Sequence, residues 1–164
     1  MDDAARHFEI YGDAVSADRS HAKPLASKED SRRMLRAWKD HWWKHGFGTW
    51  AVATADDPEN VIGFGGLSYR PINGWERVNL RFRFAPEVWG KGYAVELGRA
   101  AFRLAFGELG AAAVHALVRP GNVPAIRILE TLNMRQTETL NDVPDAAPSL
   151  VFSITVDLAE TAAS

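Results

Sequence analysis

The chain switches between two hydrophobic periods, and the switches divide it into elements. Residues 2–12 read as a short helix. Ser27, with Asp30 three positions on, resembles a capping box, the signature of a helix start. Beyond it Met34, Leu35, Trp38, Trp42 and His45 recur at helical spacing, and Gly46 is the stop. Period two then takes over. Runs at about 49–55 (TWAVATA) and 61–69 (VIGFGGLSY) read as strands, and in VNLRFRF Leu80, Phe82 and Phe84 alternate with Asn79, Arg81 and Arg83. A helix is predicted over about 92–109, ended by Gly110. Its polar residues Glu96, Arg99 and Arg103 make one narrow stripe, so it is covered on most sides. AAVHALV is another strand. In PGNVPAIRILETLN, Asn122 stands at a helix start and Pro124 in its first turn, where the missing N–H costs nothing. SLVFSITVDL closes the chain in strict alternation, and loops rich in Asp, Pro and Asn fall near 56–60 and 141–148. Helices first, a three-strand meander, strand–helix–strand–helix, then final strands: the order predicts an α/β (α+β) fold with a sheet of mixed direction.

Composition narrows the functions open to it. At 164 residues the chain is read as one domain, 1–164, able to bury a core without staples. Cysteine is absent, which removes disulfides, thiolate metal sites and a cysteine nucleophile. No apolar run approaches a membrane span, and the first residues lack the form of a signal peptide, so the cytoplasm is the expected location. A formal charge of −2 gives no general attraction to nucleic acid or anionic membrane. Any anion must be held by a local site.

PEVWGKGYAVE, residues 86–96, supplies one. Gly90 and Gly92 permit a sharp backbone bend into a helix, whose first N–H groups and dipole suit a diphosphate. Lys91 adds charge at the rim. A bare Gly-x-Gly also serves as an ordinary strand-to-helix turn, so the context decides. APEVWGKGYAVELGRAAFRLAFGELG and VRPGNVPAIRILETLNM, within the run Phe84–Met134, resemble the GCN5-related N-acetyltransferase (GNAT) superfamily, and within it the ribosomal-protein N-terminal (Ala/Ser) acetyltransferase-like branch. Of that superfamily's turn signature, Gly92 and Ala94 fit. Trp89 stands where Gln or Arg is usual, as it does in this branch. The resemblance implies a sheet with one splayed strand pair, and acetyl-coenzyme A with its pyrophosphate on backbone N–H groups from about Trp89 to Ala94, Tyr93 included. Pantetheine would lie between the strand ending near Phe84 and the strand 112–118. Asn122 would bond the pantetheine arm, and Arg127 would either reach a phosphate or stand as a solvated helix residue. The chain starts at what resembles the family's first helix; either this start is late or the sheet lacks the usual first strand, and the edge that loss would leave bare invites pairing into a homodimer.

The reaction the resemblance implies is direct attack of an amine on the thioester. Here the usual helpers are gone. Asn79 stands where the branch often carries a Glu base, Ala125 where many relatives carry Ser, and Leu129 where other members carry a Tyr acid. His115, mid-strand beside the cleft, has the intrinsic pKa of a base, set against a plain packing role; Glu76 and Ser68 are weaker candidates. Trp43, off the core face of its helix, is a candidate wall for the acceptor pocket, with Ser68, or else a dimer contact. His41 and His45 are four apart, as a metal pair would be, yet no third ligand is identifiable and no metal site is expected. A weak base suits an α-amine, with pKa near 8, better than lysine. The expectation is an N-acetyltransferase for a small amine or peptide α-amine; the alternative is a non-catalytic acyl-coenzyme A binding module.

Overall fold

The computed structural model describes residues 3–15, 17 and 23–157. Among the described residues, helices α1 (Asp3–Gly12) and α2 (Lys28–His45) precede the sheet. Ser27 caps α2, its hydroxyl oxygen accepting the Asp30 N–H at 3.1 Å while its own proton goes to the Asp30 carboxylate at 2.8 Å. The box is therefore only half built, because the acid takes the hydroxyl rather than the Ser27 N–H. At the other end the Gly46 N–H closes on the Trp42 carbonyl. The two helices meet through a buried polar pair. Ser31 donates its hydroxyl to the Ala4 carbonyl at 2.9 Å, so His7 Nδ1, 2.6 Å from the Ser31 oxygen, is the donor in that contact. His7 Nε2 is left buried with no partner.

Six strands follow: β1 (Thr49–Thr54), β2 (Asp57–Ile72), β3 (Trp75–Phe84), β4 (Ala113–Val118), β5 (Arg135–Leu140) and β6 (Ser149–Thr155). Their order across the sheet is β1-β2-β3-β4-β6-β5. The meander is antiparallel as predicted, but β2 is longer than its apolar run. The loop expected near 56–60 shrinks to a turn at Ala55 and Asp56, and the far end closes at Asn73-Gly74, both at positive φ. That Asn-Gly pair is a strong hairpin signal that the apolar pattern alone does not weigh. β5, with the sequence RQTETL, has no apolar alternation to announce it; it is an outer strand held by β6. Among the described residues no strand precedes α1 and β1 forms the other edge. The ends of two predicted elements, residues 2 and 158, lie outside the described residues.

Two more helices, α3 (Tyr93–Phe102) and α4 (Val123–Thr131), cover the face of the sheet opposite α1 and α2. The helix predicted to run to 109 changes at Arg103 into wider π-type turns, ending at Gly110. β3 is covered on both faces. Phe82 and Phe84 turn toward α3, while the alternating Arg81 and Arg83 lie over the rings of Trp38 and Tyr11 at 5.1 and 4.6 Å. The polar half of VNLRFRF is thus not a solvent face; guanidinium groups stack on aromatic rings beneath the helices. β3 and β4 run parallel but share a single register pair, Asn79 with His115, and part beyond it. No helix among the described residues is long and apolar enough to cross a membrane.

Candidate acetyl-donor and acceptor site

Where β3 ends, the chain makes one turn of 3-10 helix (Pro86–Val88) and enters α3 through Trp89-Gly90-Lys91-Gly92. Gly90 and Gly92 have φ of +76 and +85, which an L side chain adopts only under strain, and space is open where a Cβ would stand. Backbone geometry, not crowding, asks for glycine here. The Trp89 indole Nε1 donates to the Phe84 carbonyl at 2.9 Å, pinning the turn to the end of the strand. The Trp89 N–H goes to Pro86 and the Val95 N–H to Gly92. The N–H groups from Gly90 to Ala94 take no part in these turn and cap bonds, so the donor run is one residue shorter than the sequence implies. They stand at the positive end of the α3 dipole.

The turn forms the mouth of a cavity of about 440 Å³. Phe82 and Phe84 of β3, Trp89, Tyr93, Ala94, Asn122 and Ile128 are among its walls, so it lies between the parted strand and the start of α4. Arg127 lines it too, which gives an apolar channel a guanidinium group for an anionic ligand, while the Arg83 side chain turns to the other face of the sheet over Tyr11. Asn122 accepts the Ala125 N–H on Oδ1 at 3.3 Å as the cap of α4. Its side-chain N–H2 is the part left to donate to a ligand. An extended, phosphate-ended thioester such as acetyl-coenzyme A fits these donors and walls: open backbone N–H groups at one end, an apolar slot at the other. Lys91 is exposed and is not among the cavity walls.

At the apex of the parting, Ser68, Asn79, His115 and Ser153 stand side by side in register across β2, β3, β4 and β6. Asn79 is 3 % exposed; its Nδ2 donates to the Leu80 carbonyl at 3.3 Å and its Oδ1 has no partner. His115 Nδ1 lies 3.4 Å from the Val78 carbonyl. Burial holds the imidazole below the usual histidine pKa; Arg77 adds to that, and the Val78 carbonyl and Glu138 oppose it. Glu138 of β5 is bound by Arg77 and Asn73, and these bonds lower its pKa. The sequence reading missed both Glu138 and Arg77, since neither carries a local motif. Asn79 and His115 do not line this cavity; they mark the point on β3 and β4 from which the strands part.

Other expectations fall elsewhere. Trp43 is 90 % exposed on the outer side of α2 and is not among the walls of the cavity above; the core face of that helix is taken by Trp38, packed on His7 and Phe64, and by Trp42, bonded to Thr49. Ser68 is half-buried beside Asn79. His41 has both nitrogens engaged, Nδ1 on the Phe47 carbonyl at 2.8 Å and Nε2 accepting the Tyr69 N–H at 3.0 Å, so it has no lone pair free for a metal. Leu129 is buried in the core and Ala125 lines the cavity.

The profile of the acetyltransferase (GNAT) domain matches residues 1–135. YkkB of Bacillus subtilis, described as uncharacterized, is 28% identical over 115 residues, 66% of this chain and 65% of its own length. The FsC-acetyl coenzyme A-N(2)-transacetylase of Aspergillus fumigatus is 31% identical over 101 residues, 62% of this chain and 39% of its own. The chain thus spans less than two thirds of the length of either relative. Among solved structures, an acetyltransferase from Agrobacterium tumefaciens aligns with a TM-score of 0.77 at 18% identity, covering 94% of this chain and 85% of that one. The aminoglycoside acetyltransferase AAC(6')-Ib in complex with coenzyme A aligns at 0.77 and 18%, covering 99% and 94%. Spermidine N-acetyltransferase from Vibrio cholerae, with coenzyme A and spermine, aligns at 0.73 and 18%, covering 96% and 92%. At such identities the likeness is one of fold.

Proposed function

Since this chain belongs to the GNAT acetyltransferase family, we propose that it transfers the acetyl group of acetyl-coenzyme A to a primary amine, an α-amine of a peptide or a small molecule. One observation carries the reading: a turn with two glycines at positive φ opens a cavity between the end of β3, which has parted from β4, and the start of α4. In this reading the N–H groups from Gly90 to Ala94 hold the pyrophosphate, with Arg127 at the rim. The Asn122 amide donates to the pantetheine arm, and the thioester lies near Phe82, a cavity wall beyond the single β3–β4 pair, where an N–H released by the parting strands can serve the developing oxyanion. Holding both reactants there converts a bimolecular step into a local one, which accounts for most of the rate such a site needs.

The acceptor is read from what the apex lacks. No carboxylate stands in the row Ser68, Asn79, His115, Ser153, so an amine that is already partly neutral suits it. An α-amine, with pKa near 8, meets that condition and lysine, near 10.4, does not. The solved relatives named for aminoglycosides and spermidine act on other amines, and peptides beginning with Ser or Ala test the ribosomal-protein branch. The deciding experiment is release of free thiol from acetyl-coenzyme A across a panel of small amines, polyamines, aminoglycosides and N-terminal Ser or Ala peptides. Release with an α-amine acceptor is expected. Tight cofactor binding with no release from any acceptor would instead mark a binding module without turnover. Polyamines outpacing α-amines would overturn the acceptor class.

A further inference from the structure

We propose that His115 is the general base of this transfer, taking the proton of the acceptor ammonium on Nε2, with Asn79 as its positioning neighbour. The inference rests on the N-acetyltransferase reading above. Its first support is place. Asn79 and His115 are the one register pair between β3 and β4, so the imidazole stands where the strands begin to part.

The second support is the tautomer. The Val78 carbonyl can only accept, so Nδ1, 3.4 Å away, carries the hydrogen and Nε2 keeps its lone pair. Among the described residues no hydrogen bond occupies Nε2. The charged groups that face the ring are Arg77 on β3 and Glu138 on β5, and these two are bonded to each other. The pair opposes itself across the imidazole, leaving burial as the main influence and the ring neutral at pH 7. The in-register neighbours on β2 and β6, Ser68 and Ser153, carry no charge.

The third support is the orphaned oxygen. Asn79 Nδ2 is turned to the Leu80 carbonyl, so the amide presents a buried carbonyl oxygen with no donor beside the imidazole. That negative dipole end offsets part of the cost of an imidazolium there. The step balances. An N–H bond of the ammonium breaks and its proton goes to Nε2. The freed lone pair forms a bond to the thioester carbonyl carbon, the carbon–sulfur bond breaks, and the sulfur leaves with the proton from Nε2. The second proton lost by the nitrogen goes to solvent.

Two measurements test this. Long-range ¹⁵N–¹H NMR of the labelled chain should show His115 with hydrogen on Nδ1, titrating below the ordinary histidine pKa of about 6.5. Hydrogen on Nε2, or titration above that value, overturns the assignment. The second uses the best acceptor from the thiol-release panel. Wild type should give a kcat/KM level from the His115 titration up to the amine pKa. His115→Ala should lose about 100-fold at pH 7 and rise with pH across that interval, because it must wait for neutral amine. Acetyl-coenzyme A affinity should not change, and added imidazole should restore part of the rate. Asn79→Asp should move the low-pH limb upward, a shift that a packing role would not produce. Unchanged turnover in His115→Ala overturns this proposal alone; cofactor binding without thiol release from any acceptor overturns the N-acetyltransferase reading and this base with it.

Discussion

His7 shows how much one side chain's surroundings decide. It is fully buried, stacked on Tyr11 at 4.3 Å and edge-on to Trp38 and Phe64, with Arg81 and Arg83 close by. Burial first, then the two guanidinium groups, push its pKa down to about 4. The sign follows from linkage: as pH falls below about 6.5 the unfolded chain binds a proton that the folded chain refuses. Stability is therefore unaffected by this group above pH 6.5 and declines between 6.5 and about 4. Denaturant midpoints at pH 7 and pH 5 should differ more for wild type than for His7→Phe, which keeps a ring there but cannot titrate. Equal differences would show that His7 is not the group responsible. None of this could be read from RHFEIYG, where His7 is one polar residue in an amphipathic helix.

At the scale of elements, the glycine turn and the hairpin tips carry the design. Any β-branched residue at Gly92 must adopt φ near +85, at a cost of about 1–2 kcal/mol, and would unseat the N–H groups that open α3. Gly92→Val is expected to fold, with a slightly lower Tm, and to lose acetyl-coenzyme A binding in calorimetry. Binding that survives would mean the turn is not the cradle. This element was legible in the sequence because its chemistry is local: two glycines, a helix start and a dipole lie within a few residues of one another. The β2–β3 hairpin tip is the opposite case. Asn73 and Arg77 reach Glu138 across 65 and 61 residues of chain, tying that tip to β5 beside His115.

For the whole molecule, a cavity walled by β3, the glycine turn, α3 and α4 predicts coupling between ligand and fold. Acetyl-coenzyme A at 100 times its Kd should stabilise the chain by about 2.7 kcal/mol, which for a chain of this size raises Tm by about 5–10 °C. A thermal melt with and without the ligand checks this, and Gly92→Val should show no shift. The alternation in VNLRFRF, the cap at Ser27, the stop at Gly46, the Asn122 helix start and the glycine turn were all determined by the sequence itself. Each depends on φ preferences and hydrogen bonds between near neighbours, which the chain carries wherever it is placed. The tertiary structure alone decided that Arg81 and Arg83 are covered by aromatic rings and that Asn79 meets His115 at a single pair with Glu138 close by. These depend on which strands become neighbours and where two of them separate. Sheet order and splay are set by packing against helices distant in sequence, so no local pattern encodes them.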